Sequence, residues 1–239
     1  RKRYCRLGSG ILVLKVGLVS IFPEMFEAIS YGMTGRAQEI GALGVEVFNP
    51  RSYTTDNYRR VDDRPYGGGP GMVMMAEPLC QAIDAAKVSL ERTPKVVYLS
   101  PQGRCLDHDY VQELVSGPDL VMLCGRYEGV DERVIDARVD EELSIGDYVL
   151  AGGELAAMVV IEAMARWLPG VLGNAESAPQ DSFSNSLLDC RQYTRPEVWR
   201  DKAVPHVLLG GNHQAIEQWR QKDALDRTEH RRPDLLVRK

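Results

Sequence analysis

The sequence lacks the spacings that announce a metal centre or a disulfide framework. Its five cysteines stand at 5, 80, 105, 124 and 190, with no Cys-x-x-Cys and no Cys/His cluster. Neither a zinc site nor a stapled secreted fold is indicated. An odd, scattered set of thiols fits a reducing compartment, so a cytoplasmic location is expected. Histidine is as sparse: His108, His206, His213 and His230 stand alone, and read as surface or capping residues rather than ligands. No apolar run has the length of a membrane span, so no membrane partner is expected. The opening Arg1-Lys2-Arg3-Tyr4-Cys5-Arg6 and the apolar stretch behind it outline a secretory signal. Lys15 interrupts that stretch, however, and no small-residue cleavage site follows. Residues 1–13 therefore read as an extension, and Leu14–Ile21 as the first strand. No internal repeat is apparent.

A large charge excess is missing too. The net charge of -5 argues against wholesale binding of a polyanion. The charge is uneven, though. Residues 182–239 hold 11 Lys+Arg against 8 Asp+Glu, while residues 1–181 hold 18 against 26. A C-terminal part more basic than the body fits an RNA-contacting appendage, although the excess is mild.

What is present is an alternation. Short apolar runs at Leu14–Ile21, Val45–Phe48, Val96–Leu99, Leu120–Cys124 and Tyr148–Leu150 read as strands. Helix-like stretches at Glu24–Ser30, Glu77–Val88, Asp107–Val115 and Glu154–Trp167 lie among them. That order predicts an α/β domain with a mainly parallel sheet. Leu120–Cys124 is apolar throughout, as in a strand covered on both faces. The helix from Glu154 is apolar nearly all round and is expected to be buried, with Glu162 and Arg166 spaced to pair. A polar segment, Gly173–Ser186, holds few core-forming residues and reads as a mobile linker or lid. Beyond it, Asn212–Lys222 and Asp226–Arg232 look helical, with Trp199 and Trp219 available for a small second core. The organisation predicted is a domain over 14–170, a linker over 171–186 and a small helical domain over 187–239.

Glycine concentrates where the strands end. Tyr98-Leu99-Ser100-Pro101-Gln102-Gly103 ends one strand, and Gly125-Arg126-Tyr127-Glu128-Gly129 follows another. The run Ser144-Ile145-Gly146-Asp147-Tyr148-Val149-Leu150-Ala151-Gly152-Gly153-Glu154 leads into the apolar helix. Glycine lets a flat ligand lie against backbone, and ligands of open α/β sheets bind outside the carboxyl ends of the strands. Three such turns point to one cradle; three ordinary turns remain the alternative. Arg126 reads as a surface residue or a phosphate contact. Glu128 reads as a solvated turn carboxylate or as the counter-charge of a cationic ligand. Asp181 reads by itself as a cap or solvated residue, or in context as a proton acceptor near the cradle. A further loop, Asp62–Met72, is no Walker loop, since no Gly-Lys-Ser/Thr follows. Nor is it a dinucleotide fingerprint, since its glycines are contiguous and Pro70 interrupts them. It is a flexible connection or a surface where backbone meets a nucleobase or partner chain.

These segments resemble the bacterial tRNA (guanine-37-N1)-methyltransferases of the SPOUT superfamily. The matching stretches are Phe22–Phe26, Asp62–Met75, Tyr98–Gly103, Gly125–Arg133, Ser144–Glu154, Asp181–Phe183, Tyr193–Glu197 and Gly211–His213. They come in order over about 16–233. Departures are Ala156 and Arg191, each where proline is expected. The resemblance implies a deep trefoil knot, an exception to the unknotted rule, and a homodimer whose sites are built from both subunits. It also implies S-adenosyl-L-methionine as the methyl donor. Tyr98, Leu99, Ser100, Pro101, Gly125, Arg126, Tyr127, Glu128, Gly129, Ser144, Ile145, Gly146, Asp147, Tyr148, Val149, Leu150, Gly152 and Gly153 would form its pocket. Asp181 resembles the family's general base, and Arg166 is placed by analogy to stabilise charge on guanine O6. A magnesium ion is implied near Glu128. Arg195, Arg220, Arg227, Arg231 and Arg232 would grip the tRNA anticodon stem-loop, with guanosine preferred at position 36. Two other classes stay open on the sequence: a SPOUT enzyme modifying another RNA, and a non-catalytic RNA-binding protein with a vestigial pocket. A nucleotide hydrolase is disfavoured by the missing phosphate-loop lysine.

Overall fold

The fold was obtained as a computed structural model, which describes residues 13–90, 93–173, 178 and 181–237. Most of the expected extension 1–13 and much of the expected linker 171–186 lie outside the described residues. The chain divides after Gly173 into two compact units.

The first unit is built on a five-stranded sheet of order β2-β1-β6-β5-β7. Its strands are β1 (Leu14–Val19), β2 (Leu43–Phe48), β5 (Lys95–Cys105), β6 (Leu120–Cys124) and β7 (Glu141–Ser144). A separate antiparallel pair, β3 (Asp62–Asp63) and β4 (Val73–Met74), lies between β2 and β5 in sequence. Every pairing within the large sheet is parallel, so all carboxyl ends share one edge. Alternate side chains of the buried strands enter opposite cores. Leu120, Met122 and Cys124 join one core with Val16, Leu18, Val97 and Leu99. Val121 and Leu123 join the other with Val19, Val96 and Tyr98. This is why Leu120–Cys124 carries no polar residue: both its faces are covered.

Helices supply both covers. On the first face lie α1 (Gly32–Glu39), α3 (His108–Ser116) and α5 (Glu154–Ala165). On the second lie α2 (Ala76–Ser89) and α4 (Glu132–Arg138). Buried Leu79, Ala82, Ile83 and Ala86 of α2 recur at helical spacing. Asp107 and Asp131 cap α3 and α4 by accepting the backbone N–H groups of Tyr110 and Arg133.

Three expectations are corrected. Tyr148–Leu150 is not a strand; the strand is β7, just upstream, and Gly146 at a φ of 143° breaks the extended chain between them. The helix α5 is not wholly buried, since Leu155 and Val159 are 50% and 48% exposed. They lie four residues apart, a stripe turned away from the sheet. The two C-terminal helices are a single helix, α6 (His213–Arg231), capped by the Asn212 side chain.

The second unit holds α6, α7 (Asp234–Val237), which contacts it, and a short exposed hairpin of β8 (Val198–Trp199) and β9 (Lys202–Ala203). Trp219 meets Tyr193, but Trp199 is exposed and lies under the Arg200 guanidinium rather than in a core. Buried polar groups tie this unit together. Asp223 accepts the Arg191 backbone N–H at 2.7 Å, and Thr228 Oγ1 accepts that of Leu188 at 2.9 Å. Residues 181–189 fold on themselves: Phe183 N–H donates to Leu187 O at 2.7 Å, and Ser182 Oγ accepts from Asp189 N at 2.9 Å.

Candidate active site

The carboxyl edge of the sheet opens into a cavity of about 150 Å3. Its walls are the ends of β5, β6 and β7 and the turn into α5. Of the residues expected to form one pocket, Tyr98–Pro101, Gly125–Gly129, Ser144–Gly146, Tyr148–Leu150, Gly152 and Gly153 all line it. Asp147 does not. Leu143, Ala151 and Ala156 line it as well and were not anticipated. Leu143 belongs to the strand that sequence reading missed.

Close backbone approach explains the glycines here. A Cβ on Gly125 would lie 2.9 Å from the Tyr98 ring, and one on Gly153 would lie 2.8 Å from the Cys124 Cα. The strand-end turns are tied directly to each other. Gly153 N–H donates to Gly125 O at 3.0 Å, and Arg126 and Gly152 form an antiparallel bridge. The loop after β6 is supported from behind by β4 and its approach. Met74 N–H donates to Gly129 O, Asp131 N–H to Met74 O and Glu128 N–H to Met72 O. Thus the Asp62–Met72 loop, whichever role its tip has, ends in a buttress for the cavity wall. Gly67, Gly68, Gly69 and Gly71 take φ values of 77–118°, which a side chain would resist. Tyr66 at the tip is fully exposed.

The Arg126 side chain is mostly buried and paired. Its Nε donates to Glu154 Oε2 at 2.8 Å, and its guanidinium lies 4.5 Å from the centre of the Phe22 ring. Glu154, the fully buried residue that opens α5, is the carboxylate that holds it. Glu128 stands at the cavity rim, its carboxylate against the backbone of Gly71. Among the described residues no group of three or more His, Cys, Asp or Glu is arranged to hold a metal ion.

Burial sets the protonation of Tyr98, which lines the cavity, and of Cys124, which is buried in the core at the end of β6. The Tyr98 phenol is pushed up by burial first and then by the Glu142 and Glu132 carboxylates, so it stays neutral. The Cys124 thiol is raised well above its ordinary value by burial and by the Glu154 charge, against a smaller pull from Arg126. Thiolate is the reactive form, so Cys124 is expected to resist alkylation in the native protein at neutral pH, whereas the exposed Cys105 is labelled. Peptide mapping after brief iodoacetamide treatment checks this; Cys124 labelled as fast as Cys105 contradicts it.

Arg166 is the C-cap residue of α5, partly buried. Asp181 belongs to the second unit. There it lines a cavity of about 380 Å3 with Asp189, Cys190, Gln192, Glu217 and Arg220 among others. Its backbone N–H donates to Ala178 O, and its carbonyl accepts from Ser184 N, both at 3.3 Å. Of the arginines expected to grip RNA, Arg232 is held by Asp234 at 2.7 Å. Arg195 and Arg220 line an open groove with Tyr193 and Trp219. No described helix is long and apolar enough to cross a membrane.

Residues 14–238 match the family described as "tRNA (Guanine-1)-methyltransferase TrmD". A "tRNA (guanine-N(1)-)-methyltransferase" of Serratia proteamaculans is 59% identical over 222 residues, which cover 92% of this chain and 87% of that protein. Proteins of the same name from Vibrio campbellii and Klebsiella pneumoniae are 57% and 58% identical, again over 92% of this chain and over 90% and 87% of their own lengths.

Proposed function

This chain belongs to the tRNA (guanine-1)-methyltransferase family, and we propose that it moves the methyl group of S-adenosyl-L-methionine to N1 of guanosine 37, beside the anticodon. The observation that carries this reading is the convergence of three glycine turns from β5, β6 and β7 on one cavity. Adenosine needs flat apolar faces and a backbone-like hydrogen-bonding edge. Leu99, Pro101, Ile145 and Leu150 supply apolar surface, and the turns supply backbone.

The chemistry assigns the remaining roles. Neutral guanine carries a proton on N1, whose electron pair is a poor nucleophile. Asp181 accepts that proton as the pair on N1 forms a bond to the methyl carbon. The carbon–sulfur bond breaks, and its electrons leave on sulfur as a neutral thioether. Negative charge moves toward O6, where the Arg166 guanidinium stabilises it. Since the sulfonium is already activated, the protein's work is positioning and exclusion of water. Closing Asp181 over the base only when RNA is bound would couple recognition to reaction.

The same reading includes a homodimer, with each donor cavity completed by the partner. The half-exposed stripe of Leu155 and Val159 on α5, with the exposed Phe22, supports a covered face in the first unit. It also includes the trefoil knot. The end of β5 bulges there, with Leu99 and Arg104 both pairing with Leu143 of β7. The second unit, whose residues 182–239 hold 11 Lys+Arg against 8 Asp+Glu, is assigned to the anticodon stem-loop, where splayed loop bases are readable.

One assay tests the whole. Labelled donor is presented with an anticodon-stem transcript carrying guanosine, inosine or adenosine at position 37. Guanosine should be methylated at N1. Adenosine, with no N1 proton and no O6, should be inert. Equal transfer to adenosine, or modification mapped elsewhere in the tRNA, would overturn the assignment.

A further inference from the structure

We infer that Glu154 is a positioning residue for methyl transfer, acting through Arg126 to hold the two walls of the donor cavity in register. This rests on the reading of that cavity as the donor site. Glu154 is fully buried and is not among the residues lining the cavity. Its two carboxylate oxygens have separate partners: Oε1 accepts from Ser20 Oγ at 2.7 Å, and Oε2 accepts from Arg126 Nε at 2.8 Å. Ser20 sits at the end of β1, Arg126 in the loop after β6, and Glu154 opens α5. One carboxylate thus joins three carboxyl-edge segments that are remote in sequence.

The other bonds of Arg126 complete the joint. Its guanidinium stacks on Phe22, its Nη2 reaches Met25 Sδ at 3.1 Å, and its Nη1 reaches Ala151 O at 3.4 Å. Its backbone bridges Gly152, where a Cβ would collide with the arginine side chain itself. Arg126–Gly129 is one wall of the cavity and Ala151–Gly153 is another. The ion pair spans the seam between them. A buried ion pair is a poor way to gain stability, because desolvation offsets most of the attraction. Its use at this seam is geometric: two directional charge-assisted bonds set the spacing at which the glycine turns face the donor.

The experiment compares wild type with Glu154→Gln, Arg126→Lys, Arg126→Ala, Ser20→Ala and the double variant Glu154→Gln/Arg126→Ala, each used below its melting transition. Donor affinity is read by calorimetry with S-adenosyl-L-methionine, and donor KM and kcat by methyl transfer to an anticodon-stem transcript. Glu154→Gln should weaken donor affinity and raise donor KM by about tenfold or more, the scale of loss from small misplacements. At saturating donor, kcat should fall much less. Arg126→Lys should restore part of the affinity that Arg126→Ala loses. The double variant Glu154→Gln/Arg126→Ala should be no worse than the poorer single variant, since both break one joint. Ser20→Ala leaves no orphan charge and keeps the test open if Glu154→Gln does not fold; it should show a smaller loss of the same kind. Variants that lower the melting temperature but bind donor as wild type does would reduce the pair to a stabilising contact and overturn the inference. Failure of the wild type itself to bind donor would instead defeat the reading of the cavity.

Discussion

Replacing Asp181 with asparagine is expected to slow single-turnover methyl transfer by about 10²–10⁴-fold, the usual worth of a positioned general base. Donor affinity should stay near that of wild type, because Asp181 belongs to the second unit and is not among the residues that line the donor cavity. The substitution keeps size and polarity but removes the proton acceptor. The pH profile adds a separate readout. If Asp181 takes the N1 proton, the variant should regain rate steeply as pH rises toward the ionisation of guanine itself, where hydroxide does the deprotonation. The wild type should show no such climb over the same range. An asparagine variant with an unchanged rate would remove Asp181 from the mechanism. A variant that lost rate and donor affinity together would point to disrupted folding rather than lost base catalysis.

The second large effect is expected at Gly103. A Cβ there would fall on the Glu142 carbonyl carbon and the Leu143 nitrogen, nearer than side chains approach a backbone. Neither atom belongs to a flexible side chain, so β5 and β7 would have to part. Overpacking of this kind costs about 1–3 kcal/mol and occasionally more, and a backbone-on-backbone clash belongs at the upper end. At this chain length about 2–4 °C of melting temperature is lost per kcal/mol. Since Leu143 and Ser144 of β7 line the cavity, donor binding should weaken as well. Gly44→Ala is the control, because a Cβ there meets only the flexible Lys15 Cγ at 3.7 Å. Urea unfolding and donor calorimetry on both variants decide the matter. A Gly103→Ala protein as stable as Gly44→Ala would refute the close approach.

Several elements were legible because their signal is local. The alternation of Leu120–Cys124 between two cores follows from an apolar run too short for a helix. The turn residues were legible because glycine marks places where backbone meets backbone. The strand β7 was not, because Glu141 and Glu142 open it and an edge position tolerates charge. Glu141 pairs there with Lys95 of the neighbouring strand, a partner 46 residues away that no periodicity announces. The half-exposed stripe on α5 was hidden for the opposite reason. An all-apolar helix gives no amphipathic phase, so its sequence does not say which side meets the sheet.

Read alone, the chain already determined an α/β architecture, the placing of glycine turns at strand ends and, through ordered motifs, its methyltransferase family. Each of these depends on neighbours in sequence or on recurring residue patterns. Only the tertiary structure decided that Arg126 is drawn into a buried pair and that Glu154 holds it. Those side chains are 28 residues apart, and the serine sharing the carboxylate is 134 residues away. Local propensity carries no information over such separations. The pairing exists because parallel strands bring their carboxyl ends to one edge, where a buried charge must find its partners.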